Sequence, residues 1–150
     1  EYYAGRLSKA EAAFTKALEL WPQYPVAHAW LGRIYLAQSK PEVALATIQK
    51  EPDPMWRTQA LALAYHALGK RQEADKALAE FIKEYEVPAG FQIAEVYAYR
   101  GESDKAFEWL ERAYTQRDGG FNGMKGNPLM RSLEKDARYA MFMKKIKLPL

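Results

Sequence analysis

Cysteine is absent from the 150 residues, which excludes disulfides, thiol nucleophiles and thiolate metal sites and leaves the compartment open between cytoplasm and periplasm. Histidine is scarce: His28 and His66 have no metal-ligand spacing, and neither has a Ser or Cys motif beside it to form a nucleophile and its base. No apolar run approaches the roughly 20 residues that a membrane-spanning helix needs. Gly119, Gly120, Gly123 and Gly126 lack both the Lys-Ser/Thr of a phosphate loop and the spacing of a dinucleotide fingerprint. They read as a loop. With no catalytic constellation, no metal site and no cofactor site in view, the chain is not expected to be an enzyme.

The apolar fraction of 49% is ample for one continuous core. Charge is unevenly spread: residues 1–123 carry 15 Lys/Arg against 17 Asp/Glu, and residues 124–150 carry 7 against 2. Clustered cations can neutralise phosphates, but most of the chain is slightly acidic and lysines at a chain end also serve solubility. Nucleic acid is therefore not the expected partner. Glu1 runs straight into a helical pattern with no leader-like segment before it. The sequence is expected to be the C-terminal part of a larger protein.

Helical periodicity fills the spaces between regularly placed prolines and glycines. Four times a small residue is followed five positions later by alanine and four further on by a bulky apolar residue. These sets are Gly5/Ala10/Phe14, Ser39/Ala44/Ile48, Gly69/Ala74/Leu78 and Gly101/Ala106/Leu110, with starts 34, 30 and 32 residues apart. That period marks a helix-turn-helix repeat. Preceding helices carry Leu31-Gly32 with Tyr35, Leu61-Ala62 with Tyr65, and Ile93-Ala94 with Tyr97, where the small residue admits a neighbouring helix and the tyrosine fills space beside it. Ser8 with Glu11 has the form of a capping box, Asp53 that of an N-cap, and Pro25, Pro41, Pro54 and Pro88 lie near helix starts. Glu51-Pro52-Asp53-Pro54 is expected to stop a helix about one turn early.

Leu31, Gly32 and Tyr35, taken with Gly5, Ala10, Phe14, Ala17 and Pro22, resemble the motif of the tetratricopeptide repeat family, although His28 and Thr58 stand where its early tryptophan is usual. The resemblance implies an all-α, right-handed α–α superhelix over residues 1–117, divided near 1–24, 25–54, 55–86 and 87–117. Residues 118–150 are expected to form a loop, a short helical stretch at Leu129–Leu133 and a capping helix near Asp136–Ile146. Folding of that last helix into the groove is the alternative.

The family implies a protein-interaction module whose first helices line a concave groove for a peptide or helix of a partner. Its ligand-contact positions fall on Arg33, Leu36, Trp56, Gln59, Leu63, His66, Phe91, Glu95 and Tyr99. The Lys/Asn/Arg set that holds acidic chaperone tails is missing, with Ala29, Trp30 and Ala60 at related positions. Self-association through open array ends is a further expectation. The stretch from Trp109 through Asn127-Pro128 to Lys147-Leu-Pro is also similar to the endings of bacterial multidomain signalling proteins, which implies, as the alternative function, a sensor domain attached to a nucleotide cyclase or a winged-helix regulator.

Overall fold

A computed structural model describes residues 1–147. Every regular element among them is helical. The chain divides into two compact units, Glu1–Lys83 and Glu84–Leu150.

The first unit contains α1 (Leu7–Leu20), α2 (Ala27–Ala37), α3 (Pro41–Ile48) and α4 (Pro54–Ala67), together with α5 (Arg71–Tyr85), whose last turn crosses the unit boundary. α2 packs against α1, α3 and α4. The closest approach is at Gly32, where an added Cβ would lie 2.3 Å from Ile48 Cγ1. That distance explains why the second residue of the Leu-Gly pair is small. α3 stops after eight residues, and Asp53 accepts from the Trp56 backbone N–H at 3.0 Å to start α4, as the prolines on either side of it predict.

The small residue opening each of the four sets has a single physical job. Gly5, Ser39, Gly69 and Gly101 all lie in the left-handed region, at φ 71°, 60°, 71° and 75°. At three of them the turn closes alike: the residue's own N–H bonds back to Leu36, His66 or Ala98, and the next N–H reaches the carbonyl of Tyr35, Tyr65 or Tyr97. This is the six-to-one and five-to-two pair that ends a helix at a left-handed residue. The following alanine is buried in all four sets, which explains the fixed spacing. Tyr35, Tyr65 and Tyr97 are themselves only half-buried.

One local prediction fails. α1 starts at Leu7 with Arg6 as N-cap and no side-chain cap, so the Ser8/Glu11 box does not form. Glu11 instead accepts from Gln38 Nε2 at 2.8 Å, a tertiary bond that outcompetes the local one. Pro25 and Pro88 lie near helix starts as expected, two residues before those at Ala27 and Gly90, while Pro41 and Pro54 open α3 and α4.

The second unit contains α6 (Gly90–Tyr99), α7 (Ser103–Thr115), two 3₁₀ segments (Gly119–Gly123 and Pro128–Lys135) and α8 (Ala137–Lys145). Asp136 starts α8 by accepting from Arg138 N at 3.0 Å. Its carboxyl is pulled down to about 2, chiefly by the Arg138 side chain. Phe91, Leu110, Met130, Leu133 and Phe142 share one core, so both 3₁₀ segments and α8 fold onto the α6–α7 hairpin. Arg138 Nη1 meets Asp104 at 2.9 Å and Lys145 pairs with Glu111, each 34 residues apart in sequence. α8 therefore runs parallel to α7, one repeat length further on. Ser132 Oγ donates to the Ala98 carbonyl at 2.6 Å across the same offset. Residues 128–145 thus retrace the α6–α7 pair with a 3₁₀ segment in place of the first helix.

Candidate functional site

In the first unit, α2 and α4 bring together an aromatic strip. Trp30 and Trp56 lie 6.1 Å apart by ring centroid, both half-buried. Phe14 stacks on Trp30 at 6.2 Å, and Tyr2 and Tyr3 meet it edge-on. The Arg33 guanidinium lies 4.5 Å over the Trp30 ring and 5.9 Å from that of Trp56, and its Nη1 donates to Gln59 Oε1 at 3.3 Å. Arg33 is only 1% exposed. Ring faces and an amide are among the partners of its charge, contacts that suit a delocalised guanidinium.

The N-termini of α2 and α6 are closed from a distance. Val26 and Ala89, their N-caps, provide no side-chain acceptor. Glu51, buried at the end of the same hairpin, accepts from Val26 N and Ala29 N at 3.0 Å and from Asp53 N at 3.0 Å. Asp118 does the same after α7, accepting from Phe91 N at 3.0 Å and Gly120 N at 2.8 Å. A carboxylate at a helix N-terminus satisfies orphan N–H groups and complements the macrodipole. His28 sits beside the first of these carboxylates. Burial pushes its pKa below 6.5, with Glu51 pulling the other way and Lys50 reinforcing the fall.

On α6, the segment after α7 covers two of the predicted ligand-contact residues. Phe121 packs on Phe91 at 5.5 Å between ring centroids, and Asn127 Nδ2 donates to Glu95 Oε1 at 2.6 Å. Phe91 and Glu95 are consequently buried. The occupant is the 3₁₀ region. The final helix lies on α7, where Phe142 contacts Tyr114 and Phe121.

Models of the tetratricopeptide repeat match residues 1–54 and residues 60–86, together more than half of the chain. The chain belongs to the tetratricopeptide repeat family. No curated protein and no solved structure matches it. Tetratricopeptide repeats are in general protein-interaction modules, and their surfaces supply recognition rather than reaction chemistry. Among the described residues of this repeat protein, no His/Cys/Asp/Glu group could hold a metal ion. No helix among them is long and apolar enough to cross a membrane.

The nine predicted contact residues of this repeat protein divide by exposure. Trp56, His66 and Tyr99 keep accessible surface, while Arg33, Leu36, Gln59, Leu63, Phe91 and Glu95 are buried. Burial also raises the Tyr99 phenol pKa. Position-counting along a helix finds which residues lie near a face but not what covers them. Trp30 was outside that count, although its place between Phe14, Arg33 and Trp56 puts it at the centre of the strip. An aromatic one turn before an arginine was the available signal.

Proposed function

We propose that this chain binds a peptide or helix of a protein partner on the first-helix surface of its N-terminal unit, with Trp30 and Trp56 as anchors. One observation carries the reading: two half-buried tryptophans from consecutive first helices share one buried cation. Aromatic side chains of this kind supply large contact area at small entropic cost and dominate interface energetics. Arg33 fixes their spacing from beneath, so its role is to preorganise the surface. On α6, Phe91 and Glu95 are covered by Phe121 and Asn127.

Selection from a displayed peptide library tests this. Peptides recovered on the wild-type chain are expected to lose at least about tenfold in affinity on the Trp56→Ala chain, as for a central interface aromatic. Peptides that bind wild type and Trp56→Ala equally, with the variant's helical content unchanged, contradict the assignment.

A further inference from the structure

α7 and α8 enclose a slot of about 420 Å³ on the second unit. Its ends are the two cross-slot ion pairs, Asp104 with Arg138 and Glu111 with Lys145. Seven residues separate them on each helix, so the slot is about 10 Å long at 1.5 Å per residue. Between the ends, Phe107 stands 34 residues before Met141 and Glu108 the same distance before Phe142. Phe107 and Phe142 are buried, whereas Met141 is 71% exposed on the rim. The slot thus has an apolar floor, an acidic edge on α7 and a basic edge on α8.

We propose that this face takes a second copy of the same chain, related by a two-fold axis parallel to α7 and α8. Such an axis lays α7 of one copy over α8 of the other and keeps each residue at its own height. Asp104 then faces Arg138 of the second copy, Glu111 faces its Lys145, and each Met141 comes to the other copy's Phe107. Every contact forms twice, as an isologous interface requires. An in-plane axis across the helices would instead stack acid on acid and base on base. A peptide of one charge sign would match only one edge, so charge complementarity selects the second copy. Met141 supplies a flexible thioether suited to an aromatic-lined pocket.

Sedimentation of the full chain from micromolar to millimolar concentration provides the test. Wild type is expected to show a reversible monomer–dimer equilibrium, and Met141→Glu to weaken it at least about tenfold. Because Met141 is largely exposed, the circular dichroism of that variant should match wild type. The double swap Glu111→Lys with Lys145→Glu keeps its internal pair and should dimerise with itself. It should form hybrids with wild type poorly, since like charges then face each other twice. A chain that stays monomeric throughout, or one that captures a different protein on the Met141 face, overturns the proposal. So does a dimer that survives Met141→Glu but is lost on replacing the exposed Leu20 and Trp21 of the first unit by serine.

Discussion

Glu51 and Asp118 perform one task in different surroundings. Each returns from the end of a helical hairpin to close the N-terminus of that hairpin's first helix. Glu51 is buried and takes three backbone N–H groups. Asp118 is half-buried and takes two, one of which, Gly120 N, starts the 3₁₀ segment that runs back over α6. The same solution ends one repeat by holding the chain for a successor helix capped by Asp53 and ends the other by turning the chain onto its own first helix. Capping the first helix from the end of the second makes a hairpin cooperative, since neither α2 nor α6 has a local side-chain acceptor.

The comparison predicts its largest asymmetry on removal of the acids. Glu51→Ala leaves buried N–H groups without an acceptor and should cost about 3 to 5 kcal/mol. Asp118→Ala should cost about 1 to 2 kcal/mol, the scale of losing an ordinary cap. Denaturant unfolding read on tryptophan fluorescence and helical content measures both, and equal losses would remove the distinction.

The next effect concerns helix approach. Gly32→Ala drives a methyl into Ile48 and should destabilise by about 1 to 3 kcal/mol, despite alanine's better helix propensity. In α6 the matching residue is already alanine, and Ala94→Gly should cost only about 1 kcal/mol. Melting midpoints of the two variants check this ranking.

Smaller again is the turn. Ser39 is the one non-glycine among the four left-handed openers, so Ser39→Gly should stabilise by about 1 kcal/mol while Gly101→Ala should destabilise by about 1 to 2 kcal/mol. Opposite signs in urea titrations are the expected result.

The smallest effect is pH dependence. His28 has a folded pKa below 6.5 because burial disfavours its charge, so the unfolded chain binds the proton first. Stability from this group is complete above the ordinary histidine range and falls as the pH drops below it. Both histidines lie within residues 1–83, so the decline should follow probes in the first unit and disappear in His28→Gln.

The repeat was legible in the sequence because its signals are steric and local: a left-handed turn residue, a buried alanine, a small residue under a neighbouring helix. The distant caps were not, because Glu51 and Asp118 act on groups 22 to 27 residues away and look like ordinary loop acids. The continuation of the period past Thr115 was hidden for a related reason. Lys135, Ala140 and Lys144 stand 34 residues after Gly101, Ala106 and Leu110, so only the alanine of that set recurs, and it is exposed, while the register is carried by ion pairs. Arg33 was legible as a residue of the first-helix surface but not as a buried one, since a cation's burial depends on which rings flank it.

The chain's four tryptophans, Trp21, Trp30, Trp56 and Trp109, make the binding surface directly observable. Titrating a library-selected peptide while recording the four indole N–H resonances tests the central claim in one experiment. Movement of the Trp30 and Trp56 signals, with those of Trp21 and Trp109 unchanged, is the predicted result. Movement of Trp21 or Trp109 with Trp30 and Trp56 unmoved would contradict it.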